Sequence, residues 1–121
     1  MPVTYDASGE VIRIICGPEF TYQEFSNAIE AAMSDPGFSP ETPFLFDYQL
    51  YTGNIPQGVI RTRAHYLGAL KGKISSRIAI LVSDPFHYGL GRMFQVYTSN
   101  YGYQIEIFTD PEQAEKFLLS G

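Results

Sequence analysis

The sequence predicts an α/β domain with a mixed, mostly parallel sheet of about five strands, an N-terminal antiparallel hairpin and about four helices. Three observations carry that reading. Two short alternating segments flank a glycine-containing turn at the start of the chain. Short apolar runs, of which 77–82 is the strongest, then recur between stretches with helical spacing. Each helical stretch also opens at a recognisable start signal. The order is β-β-α-β-α-β-α-β-α, and strands that alternate with helices imply right-handed crossovers between parallel neighbours.

The elements follow in turn. Val3 to Asp6 and Val11 to Cys16 alternate as strands, with Ala7, Ser8, Gly9 and Glu10 as the hairpin turn between them. In the second strand Ile12, Ile14 and Cys16 share one face, and Arg13 marks the wetter one. Thr21 and Glu24 form a capping box, and Phe20 and Phe25 stand at the two positions of a hydrophobic staple. Phe25, Ala28, Ile29, Ala32 and Met33 then repeat at helical spacing, and Asp35, Pro36 and Gly37 end the helix.

Pro43 to Asp47 is short and almost wholly apolar, which fits an interior strand covered on both faces. Tyr48 to Asn54 is a loop. Asn54 is expected to cap a second helix with Pro56 in its first turn, and Val59, Ile60, Tyr66, Leu67 and Leu70 are its apolar stripe. Arg77 to Val82 reads as a buried strand. Asp84 and Pro85 start a third helix whose buried face is expected at Leu90, Met93, Phe94, Tyr97 and Tyr101. Gln104 to Phe108 is the last strand. Asp110 and Pro111 start a last helix that packs through Ala114, Phe117 and Leu118.

Bulk properties narrow the function. A chain of 121 residues suits one domain spanning 1–121. A net charge of −5 argues against a general nucleic-acid binder, which is usually basic. A lone cysteine, Cys16, excludes an internal disulfide and a cysteine zinc cluster; mid-strand, it reads as an inert core thiol. No cofactor is expected. The first six residues have neither a basic nor an apolar region, and no apolar run approaches ~18 residues. A cytoplasmic protein without a signal peptide or membrane span is the expectation.

In open α/β sheets ligands gather outside the carboxyl ends of the strands. Here those ends are Asp47 with Tyr48, Ser83 with Asp84, and Thr109 with Asp110. Asp84 and Asp110 read as helix caps and Asp47 as a polar strand terminus. His87 reads as a solvent-facing residue in the first turn of its helix, with Arg92 paired to a nearby acid. The sharper alternative makes His87 a hydrogen-bonding or proton-transfer group and Arg92 an anion partner. Gly89 and Gly91 are not a dinucleotide fingerprint, because Phe94 stands where the third glycine belongs. Arg61, Arg63, Lys71, Lys73 and Arg77 fall between Asp47 and Asp84 with no acid among them, as a solvated face or as an electropositive patch for an acidic partner.

The order of elements and the helix after Tyr51, Thr52, Gly53 and Asn54 resemble the SpoIIAA-like superfamily. That superfamily joins STAS domains, the anti-sigma-factor antagonists, with CRAL-TRIO lipid carriers. Phe44, Leu45, Phe46 and Asp47 are similar to the apolar strand ending in Asp that precedes the STAS regulatory loop. Thr52 and Gly53 fall near the place of a phosphorylatable Ser or Thr before Gly, although Tyr51 rather than Asp-Ser precedes Thr52. Ser83 to Arg92 and Met93 to Tyr97 are similar to an uncharacterised bacterial branch. The resemblance implies a SpoIIAA-like fold and a non-enzymatic regulatory or protein-interaction module.

As an interaction module, the chain would use Thr52 as a regulatory position and its basic stretch as a docking surface. As a carrier of a small lipophilic ligand, it would line a pocket with Tyr48, Tyr51, Phe86 and Tyr88 and orient a polar head with His87. As an enzyme, it would use Asp47, Asp84 and His87 as acid and base. Abundant tyrosine and phenylalanine suit a homodimer interface as well as a core.

Overall fold

A computed structural model describes residues 2–120. The elements are β1 (Val3–Asp6), β2 (Ile12–Cys16), α1 (Tyr22–Met33), β3 (Phe44–Asp47), α2 (Gln57–Ala69), β4 (Arg77–Leu81), α3 (Pro85–Ser99), β5 (Gln104–Phe108) and α4 (Pro111–Leu119). The mixed α/β architecture expected from the sequence is present, with a five-stranded sheet in the order β1-β2-β3-β4-β5. β1 and β2 are antiparallel, and every later neighbour is parallel.

That order has a consequence for the helices. Each crossover from β2 to β5 steps one strand in the same direction, and right-handed crossovers then place their helices on one face. The side chains agree. Ile12, Ile14, Phe44, Phe46, Ile78, Ile80, Ile105 and Ile107 face a single core with Phe25 and Ile29 of α1, Ile60 and Leu67 of α2, and Phe94 of α3. The alternate residues Leu45, Ala79 and Leu81 face the other side, where α4 covers them with Ala114 and Leu118. This is why β3 is apolar on both faces.

α1 begins as its sequence dictates. The Thr21 side chain accepts from the Glu24 backbone, and the Glu24 carboxylate accepts from the Thr21 N–H at 2.8 Å. The rings of Phe20 and Phe25 complete the staple at 6.2 Å.

α2 differs from expectation. It starts at Gln57, and Pro56, in extended conformation, occupies the cap position without a side-chain cap. Asn54 is exposed and does not cap it. Ile55 buries its side chain in the core, and a residue before proline is held extended, so the helix cannot begin earlier. The buried stripe of α2 is Ile60, Arg63, Ala64 and Leu67, with Val59, Tyr66 and Leu70 at its margins.

α3 also turns differently from the expected face. His87, Gly91, Phe94 and Thr98 are its buried residues, whereas Leu90, Met93 and Tyr97 are half-buried and Tyr101 lies beyond the helix end. Gly91 lets this face approach the sheet, since a Cβ there would lie 2.9 Å from Ile107 Cγ1. Among the described residues no helix is long and apolar enough to cross a membrane.

Candidate functional site

A small cavity of about 40 Å³ lies at the carboxyl ends of β3 and β4, under α2 and α3. Phe46, Ile80 and Val82 form its sheet side, Ile60 and Arg63 come from α2, and His87, Leu90 and Phe94 from α3. Tyr48 and Ile55 come from the loop that roofs it. The lining is apolar except for Arg63, His87 and the Tyr48 hydroxyl. Ligand pockets commonly have this composition and lie beyond the carboxyl ends of parallel strands.

The loop from Tyr48 to Pro56 is held on three sides. Tyr48 N–H donates to the Leu81 carbonyl at 2.8 Å, and Thr52 N–H to the Pro18 carbonyl at 3.1 Å. Phe20, Tyr48 and Tyr51 pack edge to face or tilted, with ring centroids 5.0 to 5.8 Å apart. The third hold is His87. Its Nδ1 lies 2.6 Å from Asp84 Oδ2 and its Nε2 lies 2.6 Å from the Gly53 carbonyl oxygen.

His87 is therefore buried rather than solvent-facing, which corrects the expectation from its first-turn position. Both of its neighbours are acceptors. A neutral imidazole has one N–H and satisfies one of them, whereas the imidazolium satisfies both. Burial works to lower its pKa, but the Gly53 carbonyl and the Asp84 carboxylate outweigh it and the net shift is upward. Asp84 serves twice: Oδ1 accepts the His87 backbone N–H at 2.8 Å as the cap of α3, and Oδ2 meets the imidazole. The backbone bond first and the ring bond second hold its pKa low.

Arg63 is the more unusual group. It is 6% exposed and makes no ion pair among the described residues. Its Nη1 donates to the Tyr48 hydroxyl at 3.1 Å. Its guanidinium carbon lies 5.2 Å from the Phe20 ring centre and 5.3 Å from that of Phe25. Nε is buried without a hydrogen-bond partner among the described residues. Tyr48 is no counter-charge, because burial pushes its phenol well above the ordinary range while Arg63 pulls only partly the other way.

The remaining site residues named from the sequence disperse. Tyr51 is buried against the His87 ring at 5.2 Å and helps roof the site. Phe86 and Tyr88 are 55% and 38% exposed and do not line the cavity. Arg92 is exposed and forms no ion pair among the described residues. Asp47 accepts the Gln49 N–H at 3.0 Å in a local turn, outside the cavity wall. Cys16 is fully buried, and burial pushes its thiol up to about 12.

Thr52 lies five positions before the first residue of α2, and its hydroxyl donates to the Pro18 carbonyl at 3.1 Å. The basic stretch is no single surface. Arg63 faces the cavity, and Arg77 is tied to the Phe117 carbonyl, Gln104 and Ser120. Among the described residues no group of three His, Cys, Asp or Glu side chains is placed to hold a metal.

Sequence reasoning missed Arg63, Ile55 and the Gly53 carbonyl. For Arg63 a signal existed: positions 60, 63, 64 and 67 have one-face helical spacing, which sets the arginine inside the apolar stripe.

No family model matches the chain, and no curated protein matches it in sequence. A solved structure does match in shape: the crystal structure of an uncharacterised protein of the DUF3478 family from Shewanella loihica PV-4, described as having a SpoIIAA-like fold. The two superpose with a TM-score of 0.62 over 96% of this chain and 91% of that one. The fold is SpoIIAA-like. At 18% identity the likeness concerns the fold alone, and the cavity residues stand on their own chemistry. The SpoIIAA-like order supplies the frame: three crossover helices on one face, with the cavity between two of them and the sheet.

Proposed function

We propose that this domain is a non-enzymatic binder of a small ligand with an apolar body, seated in the cavity at the carboxyl ends of β3 and β4. The observation that carries the reading is the cavity's composition: apolar walls from sheet and helices with the Arg63–Tyr48 pair and His87 among the lining residues. A binder needs no nucleophile. None of the cavity's polar groups has the arrangement of a base beside one, since both ring nitrogens of His87 are engaged in holding the roof. The role of the loop is then to close over the ligand and exclude water.

The regulatory reading through Thr52 has less support. A phosphate on that hydroxyl would replace the donor to Pro18 with acceptors, and the N–H groups that begin α2 lie several residues away.

The test uses the isoleucines as reporters. With Ile55, Ile60 and Ile80 methyl groups labelled, titration with two- and three-carbon acids, amides and alcohols is expected to shift those resonances saturably, while methyls of Ile29 and Ile105 stay still. If no member of the panel moves the three lining methyls, the cavity does not bind small ligands and the reading fails.

A further inference from the structure

We infer that the cavity recognises a short-chain monocarboxylate, gripped by Arg63 and Tyr48. The inference rests on the ligand-binding reading above and names its chemical class.

A buried guanidinium is ordinarily paired with an acid, because taking its charge out of water is costly. Arg63 is 6% exposed, and no carboxylate meets it among the described residues. What it does have is two aromatic neighbours and one hydrogen-bonded nitrogen. The guanidinium carbon lies over the rings of Phe20 and Phe25, and Nη1 donates to Tyr48. Nε has no partner, and Nη2 makes no hydrogen bond among the described residues. Nε and Nη2 lie along one edge of the guanidinium. That edge offers two parallel N–H donors at the spacing of carboxylate oxygens.

Tyr48 adds to it. Its hydroxyl oxygen accepts from Arg63, and its own hydrogen is donated to no group among the described residues. A phenol kept neutral by burial is a donor suited to an anion. The rest of the wall, from Phe46, Ile60, Ile80 and Val82, has nothing to offer a second charge. The ligand's other end is therefore apolar.

Volume sets the length. A cavity of about 40 Å³ holds roughly three waters at on the order of 10–15 Å³ each, which suits an acid of two or at most three carbons. Longer acids fit only if the loop from Tyr48 to Pro56 lifts.

The experiment compares acetate with acetamide, its neutral isostere, by titration of the isoleucine-labelled protein while the Arg63 Nε–H resonance is followed. Acetate is expected to bind on the order of ten-fold tighter than acetamide, the worth of charge-assisted hydrogen bonds over neutral ones, and to move the Arg63 Nε–H signal. Arg63→Met should abolish the preference for the acid. Tyr48→Phe, which removes one hydroxyl and keeps the ring, should weaken acetate several-fold and leave acetamide nearly unchanged, and it serves if Arg63→Met does not fold. Equal binding of acid and amide to the wild-type protein overturns the carboxylate assignment and leaves the cavity a binder of neutral ligands. If neither compound moves the lining methyls, both the assignment and the binding reading are overturned.

Discussion

His87 shows how much one side chain's surroundings decide. Its two ring nitrogens face two acceptors, so the proton count on the imidazole governs whether Asp84 and the Gly53 end of the roof are held together or one of them is released. Its folded pKa stands above the ordinary 6.5, so the stability it contributes is present below that pH and is lost as pH rises through the folded value. Asp84 runs the other way. Its folded pKa lies below the ordinary 3.8, so its contribution is present above that pH and is lost as pH falls through the folded value. Between those limits the pair is intact.

Amide hydrogen exchange at Gly53 and Asn54, corrected for its intrinsic pH dependence, is therefore expected to rise on passing from mildly acidic to mildly alkaline pH. In His87→Gln that rise should vanish, because the amide does not titrate. Exchange that ignores pH in the wild-type protein would show that the neutral ring does not release Gly53. None of this was legible in the sequence. Gly53 is 34 positions from His87, and the contact exists because a loop after β3 and a helix after β4 meet above adjacent parallel strands. Asp84 as a cap was legible, since Asp before Pro at a helix start is a local signal.

Among the elements, α3 carries a contrast that sequence alone does not reveal. Gly89 and Gly91 look alike as two glycines in one helix. A Cβ on Gly89 meets nothing within 4 Å, whereas one on Gly91 would lie 2.9 Å from Ile107 Cγ1, a branched side chain with little room to yield. Gly89→Ala is expected to stabilise by about 0.5–1 kcal/mol through helix propensity. Gly91→Ala is expected to destabilise by about 1–3 kcal/mol through overpacking against β5. Urea denaturation of both variants checks the pair, and equal effects would mean that α3 does not sit as close to β5 as Gly91 allows.

α1 is the opposite case. Its capping box, its staple and its buried face are settled within the span from Phe20 to Met33, so its reading from sequence and its structure coincide. α2 lies between. Its existence was legible, but Ile55 is drawn into the core and delays its start, and Arg63 stands where periodicity alone expects an apolar residue.

For the whole molecule, the sheet has unequal coverings. Three crossover helices share one face, and α4 by itself covers Leu45, Ala79 and Leu81 on the other. Leu45 is fully buried in this smaller core, so Leu45→Ala is expected to cost about 2–5 kcal/mol. The loss should show as a lower denaturation midpoint, with exchange protection failing first in α4. A cost well under this range would mean that the α4 layer adds little to the fold.

The sequence by itself determined the elements, their alternation and the mostly parallel sheet. These rest on periodicity, caps and turn chemistry, which act over a few neighbouring residues. The resemblance to the SpoIIAA-like superfamily added the fold's name, and the structural likeness agrees with it. Only the tertiary structure decided the strand order, the single face shared by α1, α2 and α3, and the cavity beneath two of them. It also decided that, of the five basic residues between Asp47 and Asp84, Arg63 would be buried with its Nε unpartnered among the described residues. The physical reason is that each of these depends on which distant segments share a boundary. Charge and spacing along the chain do not encode which side chain will lose its water.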